Sequence, residues 1–368
     1  MSAYAVSFLT RMLEIYSPSG KEEEISNFLA EEMKSLGLHV RKDDVGNVIG
    51  ETGKGKPTIL LCGHMDTVAG TIPVRVENNQ LYGRGAVDAK ASLAAMVIAS
   101  STFVKEKFPG KVLVVGVVDE EGEGKGIKHL VKSGISPDYA IFGEPSGVEN
   151  ITIGYKGSLW LKITCETQAG HSAAPWLFEN AIEKAFEVWR IIQELHMPQE
   201  KSESRFYSIT SCLTKIKGGE LSSKVPSKCD IYVDIRVPPP LKSQQVFDEI
   251  GRKIQQYQTA NPKVLVRMKV KDLTDPIEVE PKSLLVRALS YAIRKVRSNT
   301  PTLIRKTGTG DMNVLGNALK TPVVTYGPGD SSLDHTPNEH INIQEYLDSI
   351  QVYREAIIRL VELHKKGK

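Results

Sequence analysis

The 368-residue sequence lacks the features of a membrane protein and of a disulfide-stabilised protein. No apolar run reaches the roughly 18 residues of a membrane-spanning helix, so we expect no membrane partner. The four cysteines contain no C-x-x-C pair, which argues against a cysteine-based zinc site and a disulfide framework. We expect each of them to be a small buried hydrophobe, and we expect the cytoplasm as the compartment. They are Cys62, Cys165, Cys212 and Cys229.

A large excess of charge of one sign is also missing. The formal net charge of +3 is too small to indicate nucleic-acid binding by itself. The charge is unevenly distributed, because residues 155–270 hold 17 Lys and Arg against 12 Asp and Glu, a net of +5. A solvated basic face explains this excess most simply. A surface that meets an acidic partner is the alternative.

The motifs of serine and cysteine hydrolases are absent as well. The sequence contains no G-x-S-x-G elbow, and no cysteine has a local context that suggests a nucleophile. Any hydrolytic chemistry must therefore come from other side chains.

Short apolar runs rich in Val and Ile are present, and they are nearly continuous in hydrophobicity. They cover residues 58–63, 111–118, 138–143 and 321–327. Such runs are typical of sheet strands buried on both faces. Helical patterns lie between them, notably over residues 89–106. The alternation predicts an α/β fold, a mixed sheet with helices on both faces.

The pattern changes between residues 155 and 270. Apolar and polar residues alternate there, as in strands with one wet face, and helical stretches are predicted near 177–196 and 243–257. We expect a smaller α+β domain over 155–270, inserted into a catalytic domain of residues 1–154 and 271–368. Nearer the N-terminus, Ser19 is predicted to cap a helix, with Glu22 three residues later.

Imidazole and carboxylate side chains follow the predicted strands. His64 and Asp66 follow the first run, Asp119, Glu120 and Glu121 the second, Glu144 the third, and His335 lies in the loop after the fourth. Asp88 precedes the helix predicted over 89–106. Each residue alone has an ordinary explanation, such as a loop histidine, a helix cap or a solvated acidic turn. Because ligands gather beyond the carboxyl ends of strands in such sheets, together they predict a metal site.

The donor types indicate a hydrolase with two metal ions. Histidine and carboxylate without cysteine suit zinc, cobalt or manganese. One carboxylate that bridges two ions, with a histidine and a carboxylate on each side, is a two-metal arrangement. Another carboxylate must stay off the metals to accept a proton from water. We expect Asp66 to orient His64 through the second ring nitrogen.

Six ordered motifs, which extend over nearly the whole chain, resemble those of a known family. They are "GHMDTV", "GRGAVDAKAS", "DEEGEGKG", "GEPS", "AGHSA" and "DHTPNE". The family is that of the M20-type metal-dependent aminoacylases and carboxypeptidases, which includes desuccinylases and deacetylases of amino-acid biosynthesis. The resemblance implies that His64 and Glu144 bind one divalent ion, Glu121 and His335 bind the other, and Asp88 bridges both. It also implies a cis peptide after Asp88.

The resemblance implies roles for further residues. Glu120 matches the general base and Asp66 the residue behind His64. His171 lies in the inserted domain. In related dimers the matching histidine reaches the partner's active site and stabilises the oxyanion, so the resemblance implies a homodimer. Arg236 resembles the residue that binds the substrate carboxylate. Other substrate-facing stretches are matched by Lys156, Gly308 and Thr309.

The last loop, "YGPGDSSLDHTPNEHINIQEY", resembles most closely the lysine-biosynthesis branch of this family. That branch releases lysine or ornithine from the terminal glutamate of a small acidic carrier protein, which suits the +5 region. The resemblance implies two divalent ions as cofactors, with Zn²⁺ or Co²⁺ as candidates. The alternatives are an N-acetyl-lysine or N-acetylornithine deacetylase, a dipeptidase, and a non-catalytic binding protein. The complete set of predicted metal ligands argues against the last.

Overall fold

The computed structural model describes residues 2–106, 108–197, 204–219 and 222–367. The helices are α1 Ser2–Glu14, α2 Glu23–Ser35, α3 Lys90–Ser101, α4 Lys125–Lys132, α5 Ala181–Gln193, α6 Ser243–Ala260, α7 Leu284–Arg297, α8 Asp311–Leu319 and α9 Ile343–Lys366. Short 3-10 helices cover Pro175–Leu177 and Ser331–Leu333. Within the described ranges, no helix has the length and apolar character needed to cross a membrane.

The strands include all four apolar runs noted in the sequence, as β3, β6, β7 and β17, which confirms that prediction. The strands are β1 His39–Lys42, β2 Val48–Gly53, β3 Thr58–His64, β4 Arg75–Glu77, β5 Gln80–Tyr82, β6 Lys111–Val117, β7 Tyr139–Phe142, β8 Asn150–Tyr155, β9 Gly157–Glu166, β10 Gly170–His171, β11 Thr210–Gly218, β12 Lys224–Val225, β13 Lys228–Val237, β14 Leu265–Thr274, β15 Ile277–Glu278, β16 Thr302–Lys306, β17 Val323–Thr325 and β18 His340–Asn342. The predicted helices at 89–106, 177–196 and 243–257 correspond to α3, α5 and α6.

The chain forms two compact units. The first contains the chain up to Gly154, Val279–Arg305 and the chain from Gly310 onward. The second contains Tyr155–Glu278 and Lys306–Thr309. The domain boundaries predicted from the sequence stay a prediction, and the second unit itself runs past residue 270.

The first unit is built on a mixed sheet, as predicted. Its neighbouring strands follow the order β1-β2-β6-β3-β7-β17-β8. Strand β3 pairs in parallel with β6 and β7, and β17 is parallel to β7, whereas β2 is antiparallel to β6. Helix α3 is buried along nearly its whole length and packs against α1, α9 and the sheet. The parallel strands therefore place their carboxyl ends at one edge.

The predicted cap at Ser19 is wrong. Helix α2 begins at Glu23, and Glu22 in the cap position makes no side-chain capping bond. The hydroxyl of Ser19 instead donates to Oδ2 of Asp66 at 2.7 Å. The hydroxyl donates in this contact, whereas a capping serine accepts from main-chain N–H groups, and a donor bonds more strongly to a carboxylate than to a neutral acceptor.

The second unit contains a four-stranded antiparallel sheet in the order β11-β13-β9-β14. Alternate residues of β9 and β13 pack with α5 and α6 in one hydrophobic core, and the others face away from these helices. Cys165 and Cys229 are buried there, and Cys62 is buried in the first unit. Cys212 is exposed, so the prediction of burial is wrong for this residue, which lies on the edge strand β11.

Candidate metal centre

Each predicted metal ligand lies at the same edge of the large sheet. His64 is the last residue of β3 and is 1% exposed. Glu121 and Glu144 follow β6 and β7, the parallel neighbours of β3. Asp88 lies just before α3, and His335 lies in the loop between β17 and β18. The fold thus delivers side chains that are distant in sequence to one place.

The five side chains form two adjacent groups that share Asp88. Nε2 of His64 lies 3.1 Å from Oδ1 of Asp88 and 4.0 Å from Oε1 of Glu144. Nε2 of His335 lies 3.1 Å from Oδ2 of Asp88 and 2.8 Å from Oε1 of Glu121. Within each group, one potential ligand atom from each residue lies within 4.8 Å of the others. The two oxygens of Asp88 therefore face two different groups.

These donors fit a pair of divalent metal ions. Each group offers one imidazole nitrogen and two carboxylates, a set that suits zinc, cobalt or manganese. The shared carboxylate of Asp88 has the position expected of a bridging ligand. The peptide between Asp88 and Ala89 is cis, in agreement with the resemblance. The individual ligand roles stay predictions.

The charges within the two groups are strongly coupled. Burial opposes ionisation of Asp88, but hydrogen bonds from His335 and His64 hold the pKa of its carboxyl below the usual range. Asp88 and Glu121 raise the pKa of His335 to about 9. Burial alone would lower the pKa of His64, yet Asp88 and Glu144 raise it well above its ordinary value. Without metal, the imidazoles therefore hold protons where ions would bind.

The atoms that orient His64 differ from those predicted. Nδ1 of His64 lies 2.8 Å from the main-chain oxygen of Asp66, whereas its carboxylate Oδ1 is 3.7 Å away. The fully buried carboxylate instead accepts from the main-chain N–H groups of Glu120 and Glu121, at 3.1 and 3.0 Å, and from Ser19. Asp66 thus orients the ring through its backbone and fixes the loop after β6 through its side chain.

Glu120 lies beside the two groups and belongs to neither. Burial raises the pKa of Glu120 well above its usual range, and the neighbouring Asp311 and Glu144 raise it further, while His64 opposes them. A buried carboxyl group with a pKa shifted in this direction is a candidate for general acid–base chemistry.

The turn that presents Glu120 is held by several hydrogen bonds. Asp119 has a φ of 62°, in the left-handed region that aspartate tolerates better than most residues. Its carboxylate accepts from the main-chain N–H groups of Glu123 and Lys125, both at 3.2 Å. Its own N–H donates to Oε1 of Glu22 at 3.1 Å. Glu22, predicted as part of a helix cap, is therefore part of the site's support.

Two further supporting residues were not identified from the sequence, although they lie within the "GRGAVDAKAS" and "DHTPNE" motifs. Glu339 is 1% exposed and accepts from the main-chain N–H groups of Val87 and Asp88 at 2.9 and 3.0 Å. Nη1 of Arg84 donates to the other carboxylate oxygen of Glu339 at 2.8 Å. This ion pair holds the backbone that carries Asp88.

Asp311 is another residue without a predicted role. It is the first residue of α8 and is 6% exposed, and its Oδ2 has no hydrogen-bond partner among the described residues. Burial raises its pKa to about 7. The available signal in the sequence was its position two residues after Thr309, at the end of the stretch "KTGTGD" (residues 306–311).

The remaining predicted residues belong to the second unit. Arg236 in β13 donates to Asp234 and to the hydroxyl of Thr309 at 3.1 Å. The hydroxyl of Thr309 donates to the main-chain oxygen of Lys156, whose buried ammonium donates to the hydroxyl of Thr210. These residues therefore form one hydrogen-bonded group, and Gly308 lies next to it.

His171 lies apart from that group in the short strand β10. Its side chain is exposed, and Nδ1 accepts from the main-chain N–H of Ala173 at 3.0 Å. The contact fixes the ring with the proton on Nε2, which leaves that nitrogen free to donate.

The chain is similar to known proteins in both sequence and fold. Residues 60–359 match the model of peptidase family M20/M25/M40. A relative from Pyrococcus furiosus is 40% identical over 356 residues, which are 96% of this chain and 97% of that protein. The LysW-lysine/LysW-ornithine hydrolase of Sulfurisphaera tokodaii is 36% identical over 354 residues, 96% of this chain and 94% of its own. The crystal structure of aminopeptidase PepT from Bacillus cereus superposes with a TM-score of 0.83, at 21% identity, and covers 98% of this chain and 99% of its own.

The fold and the two ligand groups that share Asp88 define a metal-binding hydrolase of linear amides. The chain belongs to peptidase family M20/M25/M40, because the family model matches most of its length.

Proposed function

We propose that this protein is a metal-dependent amide hydrolase that releases lysine, ornithine or both from the terminal glutamate of an acidic amino-group carrier protein. The observation that carries the hydrolase assignment is the pair of ligand groups that share Asp88, with Glu120 beside them. The substrate assignment is supported by nearly full-length similarity to a LysW-lysine/LysW-ornithine hydrolase. The free cysteines are in keeping with a reducing compartment, and we propose the cytoplasm.

The two groups would hold one ion each. We assign His64 and Glu144 to one ion, Glu121 and His335 to the other, and Asp88 to both. Bound there, two divalent ions such as Zn²⁺ or Co²⁺ would polarise the amide carbonyl and lower the pKa of water toward about 7. The buried ion pair of Glu339 with Arg84 and the main chain of Asp66 keep these side chains in place.

Glu120 is the proposed general base and acid. Its carboxylate takes a proton from the attacking water as the new C–O bond forms, then delivers that proton to the leaving nitrogen as the C–N bond breaks. The products are a free carboxylate on the carrier and a free α-amine on the amino acid. The hydrogen bonds from the loop to Asp66 hold Glu120 in position for both transfers.

Residues of the second unit are assigned by the resemblance. His171 donates from Nε2 to the developing oxyanion in the partner subunit of a homodimer, where loss of one donor costs about a hundredfold or more in rate. Arg236 grips the carboxylate of the released amino acid with its planar fork. Lys156, Gly308 and Thr309 complete the binding of substrate around it. The hydrogen bond from Arg236 to Thr309 supports a shared role.

Several basic side chains of the second unit share one face of its sheet, which supports an acidic partner, and one of them, Lys162, pairs with Asp230 at 2.8 Å. On the face opposite α5 and α6, the registers place Lys269, Lys162, Tyr232 and Lys215 in one row across four strands. Lys162 and Lys215 lie 5.9 and 5.5 Å from the centre of the Tyr232 ring. Lys215, Lys217 and Lys269 are exposed, and within the described ranges no carboxylate pairs with them. We call this surface the basic sheet face.

Charge reversal on the basic sheet face tests the carrier. We expect the Lys215→Glu/Lys217→Glu/Lys269→Glu variant to lose at least about tenfold in kcat/KM for carrier-linked lysine, because attraction becomes repulsion. Hydrolysis of N-acetyl-lysine should be unchanged. The matched control is Lys54→Glu/Lys132→Glu/Lys365→Glu, which reverses three exposed charges of the first unit. An equal loss on both substrates, or in both variants, would contradict docking at this face.

A further inference from the structure

A cavity of about 350 Å³ lies between the end of α1 and the 67–74 segment. No proposed metal ligand or catalytic residue lines it. Its size is at the lower end of the range for small-molecule sites. Two cationic side chains, Arg84 and Lys90, lie in its wall beside the apolar side chains of Leu13, Ile72 and Val74.

Arg84 keeps unused hydrogen-bond donors at this cavity. Nη1 donates to Glu339 at 2.8 Å and to the main-chain oxygen of Thr336 at 3.2 Å. Nε is buried and has no partner among the described residues. Nη2 likewise contacts no acceptor among the described residues. Nε and Nη2 form one edge of the guanidinium, and this edge matches the two oxygens of a carboxylate.

Lys90 adds a second donor at the cavity, and burial lowers the pKa of its ammonium to about 7. It is 1% exposed, and its Nζ donates to the main-chain oxygens of Met12 and Ile15 at 3.0 and 2.7 Å. An ammonium has three N–H groups, so one remains without an acceptor among the described residues. The carboxylate that also lines the cavity, Glu14, is exposed, and solvent screens its charge.

We propose that this cavity is a binding site for a small aliphatic carboxylate. The carboxylate oxygens accept from the free edge of Arg84 and from Lys90, and the hydrocarbon part packs against Leu13, Ile72 and Val74. Two basic side chains with unused donors, in a half-apolar wall, match an anion with a short tail better than a bare inorganic oxyanion. The proposal does not depend on the substrate of the hydrolase.

The site is connected to the metal centre through one ion pair. Arg84 binds Glu339, and Glu339 accepts from the main-chain N–H of Asp88. An anion that binds Arg84 therefore competes with Glu339 for the guanidinium, and Glu339 holds the main chain of Asp88. Because such coupling is reciprocal, we expect metal affinity to change when the cavity is filled.

Calorimetric titration of the full-length, metal-loaded protein with butyrate tests the site. Arg84→Lys keeps a cation beside Glu339 but removes the planar fork, and we expect butyrate to bind at least about tenfold more weakly. Val74→Phe fills the cavity and keeps Arg84, so it should weaken butyrate similarly even if the arginine variant is unstable. Val76→Phe is the matched control, because Val76 is 57% exposed and does not line the cavity.

Repeating the titrations with metal-stripped protein separates binding at the cavity from any binding of butyrate to the metal ions. Equal butyrate affinity in the wild type, Arg84→Lys and Val74→Phe would overturn the proposal. Tighter binding of inorganic phosphate than of butyrate at the cavity would overturn the aliphatic assignment. Binding of butylamine with similar affinity would show that no anion is selected, and would overturn it as well.

Discussion

Asp66→Asn is the change that tests the support of the active site most sharply. The carboxylate of Asp66 is fully buried and accepts three hydrogen bonds, with Oδ2 shared by Ser19 and Glu121 and Oδ1 bound to Glu120. The side-chain oxygen of asparagine can accept the two bonds that Oδ2 accepts now. Because this oxygen is uncharged, each bond should contribute about 1 kcal/mol less to the free energy of unfolding. Its amide group then faces the N–H of Glu120, and a buried unsatisfied donor costs about 1–3 kcal/mol more.

The expected loss in free energy of unfolding is therefore about 3–5 kcal/mol. The loop that presents Glu120 should also shift, and a misplacement of about 1 Å costs on the order of a hundredfold in rate. Urea unfolding of the metal-free protein measures the first quantity, and amine release at a temperature where the variant stays folded measures the second. We expect kcat to fall much more than KM changes.

Asp138→Asn is the control for this experiment. Asp138 accepts from the main-chain N–H of Thr58, at the opposite end of β3 from His64. We expect it to lose some stability without a change in kcat. If Asp66→Asn unfolded like the wild type and turned over at the normal rate, the carboxylate of Asp66 would have no supporting role and our account of the loop would be wrong.

Four further predictions concern the proposed chemistry and the metal-free protein. Glu120→Gln should bind metal normally and lose turnover, as checked by metal analysis and amine release, and an active variant would contradict the assigned base. A mixture of Glu120→Gln and His171→Ala should recover about a quarter of wild-type activity after subunit exchange, because half of the dimers then hold one complete site; no recovery would contradict donation across a dimer. Metal affinity should rise with pH up to about 9, because His335 must lose a proton to bind metal. In the metal-free protein, that protonated imidazole contributes stability below its unfolded pKa of about 6.5 and loses it as pH rises through about 9. Titration calorimetry in buffers of different protonation enthalpy checks the metal affinity, and a pH-independent affinity would contradict the prediction. Urea unfolding as a function of pH checks the stability of the metal-free protein, and a stability that does not fall as pH rises through about 9 would contradict it.

The sequence was sufficient to predict where side chains meet, because strand direction determines this. His64, Glu121 and Glu144 follow apolar runs, and parallel strands bring such residues to one edge. The inserted α+β region was predictable from its alternating pattern, because apolar and polar residues alternate in strands that have one solvated face. Charge counting also indicated the excess of basic residues, but the register of β11, β13, β9 and β14 was needed to see that several of them share one face.

Atomic partners were not predictable, because several groups compete for each donor. Asp66 lies two residues after His64, and its backbone and its carboxylate could both orient the ring. Ser19 has the sequence context of a helix cap, yet it donates to the buried carboxylate of Asp66, which lies just after β3. Glu339 supports Asp88 from more than 250 residues away, a separation that no local pattern reveals.

The most direct test of the central claim is amine release by metal-stripped and metal-restored protein. The substrates are N-acetyl-lysine and lysine linked as an amide to the terminal glutamate of an acidic carrier protein. We predict metal-dependent release that favours the carrier substrate and weakens in moderate salt, where charges more than about 8–10 Å apart are screened. Equal or faster metal-dependent release from N-acetyl-lysine would contradict the carrier assignment and identify an ordinary deacetylase instead. Release that persists without metal would contradict the metal centre itself.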